Sequence, residues 1–332
     1  MMLAMEQDPA LSVVCPCFNE APNLEPLYQR LRAVGESLAL PWEIILVNNG
    51  STDASAEIMA RLHAQDPRLK FVSLSRNYGF QMSVTAGLDR ARGQAVVVMD
   101  ADLQDPPEVI PQMVAKWRDG YDVVYAIREV RQGETWLKRV TAAAFYRLLR
   151  RITDVQIPVD TGDFRLMSRR VVGHLRLFRE RHRFIRGIVA WMGFRQTGIY
   201  YVREARQAGE TKFSWRSLFR FAFDAITAFS FAPLRLATYL GFLISITCFL
   251  LALLTIVGKV TFGIDAPGWA SLMVVILFIG GVQLVTTGLI GEYVGRIYDE
   301  VKQRPLYLVD ESHGFDAGEA EATISPGAAL RR

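Results

Sequence analysis

The residues with the clearest chemical potential lie together in Asp100-Ala-Asp-Leu-Gln-Asp-Pro-Pro107. Asp100 and Asp102 place two carboxylates at i and i+2, and Gln104 adds a carboxamide at i+4. These are hard oxygen donors on a turn stiffened by two prolines, a set suited to Mg²⁺ or Mn²⁺ shared with substrate phosphates. Many loops contain a D-x-D by chance, so the weight comes from placement: the apolar run Ala95-Val-Val-Val-Met99 leads straight into the turn. Neither G-x-G-x-x-G nor G-x-x-x-x-G-K-[ST] occurs, so neither a dinucleotide fingerprint nor a P-loop is indicated.

A second constellation is basic. Residues 128–220 hold 21 lysines and arginines against 8 acidic residues, while the rest of the chain carries an acidic surplus. Such a block could bind nucleic acid. It runs directly into strongly apolar sequence, so anionic lipid head groups are the nearer partner, at roughly 1 kcal/mol per basic residue close to a membrane. Nucleic acid is not expected. The three cysteines, with Cys15 and Cys17 flanking Pro16, have neither zinc spacing nor the number for a disulfide framework. They read as small buried hydrophobes, and the four histidines share no spacing that suggests a site.

The elements that must position these residues alternate. Leu11–Cys15, Glu43–Val47, Lys70–Leu74, Ala95–Met99 and Tyr121–Tyr125 are short apolar runs. Helical stretches at 23–38 and 81–91, and a third opened by the turn Asn48-Asn49-Gly50-Ser51, separate them. Continuous apolar strands between amphipathic helices predict a mostly parallel sheet covered on both faces. Ligands then bind at the carboxyl ends of the strands, where the polar clusters sit.

Farther on, residues 236–257 and 270–290 carry no charge at all. At about 1.5 Å per residue each spans roughly 30 Å, a bilayer core, and a short connection makes them a hairpin. Arg235 precedes the first span and Arg296, Lys302 and Arg304 follow the second, so both ends are expected on the cytoplasmic side. The N-terminal MMLAMEQDP has no basic n-region and does not read as a secretory signal. Phe213–Pro233 interleaves aromatics with Arg216 and Arg220, the pattern of helices lying in the head-group layer. The expected organisation is a cytosolic domain at 1–212 and interfacial helices at 213–233. A transmembrane hairpin at 234–298 (spans about 236–257 and 270–291) and a cytosolic tail at 299–332 follow.

Six motifs together carry a resemblance. They are Pro16-Cys-Phe-Asn-Glu20, Val47-Asn-Asn-Gly-Ser-Thr-Asp53, Arg76-Asn-Tyr-Gly79, Asp100 to Pro107, Gly162-Asp-Phe-Arg-Leu166 and Gly291-Glu-Tyr-Val-Gly-Arg-Ile-Tyr298. Over roughly residues 10–308 the chain resembles family-2 glycosyltransferases of the polyprenyl-phosphate type, which include dolichol-phosphate mannose synthases and bactoprenol glucosyltransferases. The resemblance implies an α/β, GT-A-like domain and a metal-dependent hexosyltransferase. It would move one sugar, by default glucose from a UDP-sugar, to undecaprenyl or another polyprenyl phosphate with inversion. It further implies a multi-pass protein of the bacterial inner membrane, its catalytic domain cytoplasmic, with membrane lipids as partners and a possible homo-oligomer.

Residue by residue, the resemblance places Pro16, Phe18, Asn19, Glu20, Asn48, Asn49 and Asp100 at the donor. Asp100, Asp102 and Gln104 would hold Mg²⁺ or Mn²⁺, with Asp100, Asp102 and Asp163 as catalytic groups. Arg128, Arg131, Lys138, Arg206 and Lys212 would form the wall for the acceptor phosphate. Asn48-Asn49 stands where the family usually has acidic residues. A lipid phosphate is already ionised near neutral pH, so no Ser, Cys or His nucleophile is required. Neutralising the leaving diphosphate and aligning two anions are what remains. Asp163 could thus be a base, an orienting group, or a partner of Arg165 or another basic residue. Two other readings stay open: a membrane-anchored nucleotide-sugar sensor without turnover, and a processive polysaccharide synthase. The synthase is disfavoured by the absence of Q-x-x-R-W and of further spans.

Overall fold

The computed structural model describes residues 8–129, 161–203, 232–262 and 268–315. They fall into two compact units, one rich in strands and one made of two helices; residues from Arg304 onward belong to the first.

The first unit is built on an eight-stranded sheet. Its strands are β1 (Leu11–Cys17), β2 (Trp42–Asn48), β3 (Leu69–Leu74), β4 (Ala95–Val98), β5 (Val123–Arg128), β6 (Thr161–Ser168), β7 (Gln196–Tyr201) and β8 (Val309–His313). The spatial order is β7-β5-β6-β4-β1-β2-β3-β8. The five predicted strands are present, and β1, β2 and β4 are buried at every position, as strands covered on both faces must be. Helices α1 (Ala21–Ser37), α2 (Ser55–Gln65), α3 (Phe80–Arg90) and α4 (Ile110–Arg118) supply the crossovers. The core they close includes Leu24, Leu27, Met59, Leu62, Ile110 and Met113. Burying each such side chain contributes roughly 1.5–3 kcal/mol.

The sheet is mixed, with four parallel and three antiparallel pairings. β1, β2, β3 and β4 pair in parallel, but β6 enters antiparallel between β4 and β5, and β8 adds antiparallel to β3. β5 and β7 are again parallel. Neither β6 nor β8 offers a long apolar run: β6 is TGDFRLMS and β8 is VDESH, a charged edge strand of the kind that resists further pairing. β8 lies within the segment expected to be a cytosolic tail. It is secured by stacking of Phe71 on His313, ring centroids 4.4 Å apart, and by buried Tyr307, whose hydroxyl donates to Asp89 at 2.7 Å.

Register decides where chemistry can occur. Cys17 pairs with Asn48 and Asn48 with Ser73, while Val14 pairs with Val98, so the polar segments after β1, β2 and β4 emerge at one edge. Because β6 runs the opposite way, with Val98 beside Arg165, its first residues reach that edge too. Arg128 and Tyr201, paired at the ends of β5 and β7, complete it. Two short helices, α5 (Arg169–Leu175) and α6 (Ile185–Trp191), follow β6. Ser168 caps α5 by accepting from the Val171 amide.

The second unit comprises α7 (Ala232–Phe262) and α8 (Trp269–Val301). Both are long and apolar enough to cross a membrane, over Ala237–Val257 and Ser271–Val301. Their apolar side chains are exposed rather than buried in a protein core. Thr238, Thr247, Thr255 and Thr286 donate their hydroxyls to the carbonyls four residues earlier. Those hydroxyls therefore need no water, as hydrocarbon surroundings require. α8 runs about three turns beyond the charge-free stretch, and its end carries the Arg296–Glu292 pair at 3.0 Å. The expected interfacial helices at 213–233 lie mostly outside the described residues.

Candidate active site

The Asp100 turn is irregular for a reason. Leu103 is buried yet adopts a left-handed backbone, φ +59°, which a branched side chain tolerates poorly. That twist lets the Gln104 amide donate to Asp102 Oδ1 at 3.1 Å and brings Asp105 inward to complete burial. Asp100, Asp102, Asp105 and Asp163 form one acidic cluster. Burial first, and then the charges of Asp105, Asp163 and Asp102, push the Asp100 carboxyl up to about 8. Asp100 Oδ1 is buried and accepts no hydrogen bond. A buried, orphaned carboxylate oxygen among like charges is the environment a divalent cation relieves. No group of three or more His, Cys, Asp or Glu side chains is arranged to hold a metal among the described residues. The side chains of this turn that could contribute to a cation site are Asp100, Asp102 and Gln104.

Guanidinium groups surround the cluster. Arg186 makes a two-point contact with Asp163, Nε to Oδ1 at 2.7 Å and Nη2 to Oδ2 at 2.5 Å. Burial alone would raise the Asp163 carboxyl, but Arg186, Arg165 and Arg128 hold it below the ordinary carboxylate range. Arg165 is buried and donates to the Gly162 carbonyl; desolvation lowers it to about 10. Asp105 Oδ1 accepts from the Tyr201 hydroxyl at 2.5 Å and lies 3.5 Å from Arg203 Nε. Arg128 Nε in turn donates to the Tyr201 oxygen at 3.3 Å. A Cβ on Gly162 would stand 2.6 Å from Arg128 Nη2, so glycine leaves the room this guanidinium occupies.

On the other side of the cleft, the segment after β1 locks to the segment after β2. Asn19, left-handed at φ +57°, donates its amide to Ser51 Oγ and accepts from the Thr52 amide. The Glu20 amide donates to Ser55 Oγ, and Glu20 Oε2 accepts from Asn23. Pro16 lies inside β1 opposite Val47, and the Phe18 ring is about one-third exposed. Asn48 and Asn49 are buried, and protein groups occupy their amides. Asn48 donates to Ser73 Oγ and accepts from the Ser51 amide. Asn49 donates to Asn77 Oδ1 and accepts from the Tyr78 amide. Gly50, at φ +70°, passes so close to Arg76 that a Cβ would stand 2.5 Å from its carbonyl carbon. Asn49 thus clamps the Arg76-Asn-Tyr-Gly79 loop, while Asn48 ties the turn after β2 to β3.

Asp100, Asp102, Gln104, Asp163 and Arg128 share one strand edge with Phe18, Asn19 and Glu20. Arg131, Lys138, Arg206 and Lys212 lie outside the described residues. Sequence reasoning passed over Asp105, Tyr201, Arg186 and Arg203. Asp105 stood inside the quoted motif and could have been weighed; the other three carry no local signal. Cys15 and Cys17 are buried thiols raised by desolvation, so neither is a nucleophile.

The site is thus an acidic turn after the fourth parallel strand, faced by Arg128, Arg165, Arg186 and Arg203. Comparison with known proteins is specific: residues 12–176 match Glycosyl transferase family 2, and residues 232–297 match the GtrB C-terminal hairpin. The chain is 50% identical over 306 residues to an uncharacterized glycosyltransferase of Synechocystis sp., covering 92% of this chain and 96% of the relative. It is 43% identical over 303 residues to the SfII prophage-derived bactoprenol glucosyl transferase of Shigella flexneri, covering 91% and 98%. Among solved structures, a mannosyltransferase from Pyrobaculum calidifontis in complex with GDP-Man and Mn²⁺ is 20% identical with a TM-score of 0.43, over 64% of this chain and 61% of that one. The chain belongs to glycosyl transferase family 2, and its C-terminal part matches the GtrB hairpin.

Proposed function

We propose that this protein transfers a single sugar, glucose from UDP-glucose in the first instance, to undecaprenyl or another polyprenyl phosphate, inverting the anomeric centre. The observation that carries the reading is the single strand edge at which the Asp100 cluster meets Arg128, Arg186 and Arg203. The arginines offer opposite charge to an anionic acceptor, and a cation held by the acidic turn would offer it to an anionic donor. The relatives named bactoprenol glucosyl transferase support the acceptor class and the sugar.

In this reading Asp100, Asp102 and Gln104 hold Mg²⁺ or Mn²⁺, which supplies charge neutralisation for the departing diphosphate. Phe18, Asn19 and Glu20 form the wall beside the nucleotide, and Pro16, Asn48 and Asn49 fix that wall. Arg128, with Arg131, Lys138, Arg206 and Lys212, receives the lipid phosphate. The acceptor oxygen needs no deprotonation, and Asp163, held ionised by Arg186, orients that arginine and a sugar hydroxyl. α7 and α8 form a hairpin across the bacterial inner membrane with both ends cytoplasmic, and prenyl chains dissolve beside it.

The test is direct. Purified protein is incubated with undecaprenyl phosphate and a panel of radiolabelled nucleotide-sugars, and the lipid is extracted. Label in the organic phase with one donor establishes the transfer and names the sugar; none with any donor overturns it.

A further inference from the structure

Asp105 has no role in the reaction as described so far, yet it is fully buried at the most charged point of the domain. Its Oδ1 accepts from Tyr201 at 2.5 Å and faces Arg203 at 3.5 Å, while its Oδ2 is buried with no hydrogen-bond partner. A carboxylate kept only for stability would have both oxygens satisfied, since an unmet buried acceptor costs about 1–3 kcal/mol.

The Tyr201 hydroxyl does two things at once: it donates to Asp105 and accepts from Arg128 Nε at 3.3 Å. Its ring is set edge-on against Phe164, centroids 5.8 Å apart, so the hydroxyl cannot swing away without disturbing the core. Arg128 is bounded on its other side by Gly162. Arg128 and Tyr201 are register partners at the ends of β5 and β7, and Arg203 follows two residues later. Both arginines therefore refer their position to one carboxylate. That carboxylate sits three residues from Asp102 in the same turn.

We infer that Asp105 and Tyr201 are positioning residues for the acceptor phosphate. Asp105 directly, and through the Tyr201 hydroxyl, holds Arg203 and Arg128 in fixed register with the turn of Asp100 and Asp102. The inference rests on the glycosyl-transfer reading above and extends it. Reaction between two anions demands that the sites for both be placed to within a fraction of an ångström. Joining Arg128 through Tyr201, and Arg203 directly, to one carboxylate of the acidic turn sets the two sites in a common frame. Arg203 thereby joins the acceptor wall.

Tyr201→Phe removes the bridge and keeps the ring against Phe164. Asp105→Asn keeps an acceptor for Tyr201 and removes the charge that faces Arg203. Each full-length variant is compared with wild type by varying undecaprenyl phosphate and nucleotide-sugar separately, with a thermal melt alongside. A loosened guanidinium should raise the acceptor KM about tenfold in Tyr201→Phe and leave the donor KM within about twofold. Asp105→Asn should move the same parameter in the same direction. An unchanged acceptor KM in both variants overturns the inference. So does a parallel loss of both KM values together with the melting temperature, which would mark a purely structural role. Wild type that transfers no sugar to the lipid overturns the functional reading itself, an outcome distinct from active wild type with indifferent variants.

Discussion

Asp163 and Arg186 meet through two parallel hydrogen bonds, 2.7 and 2.5 Å, although they come from different elements, the β6 strand and the α6 helix. Both side chains are mostly buried. The contact answers one question the sequence leaves open: Asp163 takes Arg186 as its partner, and the Arg165 guanidinium turns to the Gly162 carbonyl.

Removing either member strands the other's charge in a desolvated site, which costs about 3–5 kcal/mol for a fully buried pair. The residual exposure of Arg186 places this one nearer the lower end. Asp163→Asn and Arg186→Ala should each destabilise the domain by about 3 kcal/mol, and the double variant by little more than either alone. Chemical denaturation of the four proteins measures the coupling. Additive losses would show that the two groups act independently.

The acidic cluster makes a pH prediction. Burial and the neighbouring carboxylates push the Asp100 carboxyl up to about 8 against an ordinary 3.8. Its folded value is raised, so folding takes up a proton between these limits, and stability falls as pH rises from about 4 to about 8. A divalent cation must displace that proton. Thermal stabilisation by Mn²⁺ or Mg²⁺ should therefore be weak near pH 5 and grow toward pH 8. Asp102→Asn should blunt it across the range, and EDTA should abolish transfer. A metal-induced shift that is flat with pH, or full activity after exhaustive chelation, would count against cation binding at Asp100.

Asn49 explains a departure that sequence alone leaves as a puzzle. Its amide donates to Asn77 Oδ1, which also receives the Gly79 amide. An aspartate there has no proton to give and would set two oxygens face to face. Asn49→Asp, although closer to the usual family pattern, should lose about 1–3 kcal/mol of stability. It should also weaken nucleotide binding by loosening the 76–79 loop. Calorimetry and a UDP titration read both; a neutral or stabilised variant would refute the clamp.

That example shows where legibility ends. Strands β1 to β4 were readable because each is almost wholly buried and written as a mostly apolar run. The Asp100 turn was readable because it follows one of them. β8 was not, since Val-Asp-Glu-Ser-His becomes a strand only by pairing with β3 far back in the chain. Arg186 and Arg203 were hidden for a similar reason: they sit among many arginines, and only the tertiary fold selects those facing the carboxylates. Asp105 was visible as a letter but not as a buried group.

The hairpin prediction follows from charge. Arg235 and the cluster Arg296, Lys302 and Arg304 flank the charge-free stretches of two helices whose apolar side chains are exposed. Reporter fusions should place residues 260–268 outside the cytoplasm and positions after 304 inside it. The return of β8 to the sheet already requires the residues after 304 to share a compartment with β3. An external C-terminus would be incompatible with both.

Gly162 offers the cleanest perturbation of the acceptor wall. A methyl group there would sit 2.6 Å from Arg128 Nη2 and 3.3 Å from Cζ, and the other close atom is also part of that guanidinium. The far end of a flexible side chain can move at small cost, so Gly162→Ala should fold with its melting temperature nearly unchanged. The guanidinium, however, must leave the place set by Tyr201. If Arg128 grips the lipid phosphate, a contact worth roughly 1.5–3 kcal/mol, Gly162→Ala should raise the acceptor KM by up to the ten- to hundredfold expected for Arg128→Ala. Donor affinity should hold in both. Arg128→Lys should recover only part of the loss, because an ammonium lacks the two-point fork. Combining Gly162→Ala with Arg128→Ala should add nothing further, since the methyl then has no guanidinium to displace. Separate titrations of donor and acceptor with these variants decide the matter. A collapse of donor affinity with the acceptor KM unmoved would reassign Arg128 to the diphosphate.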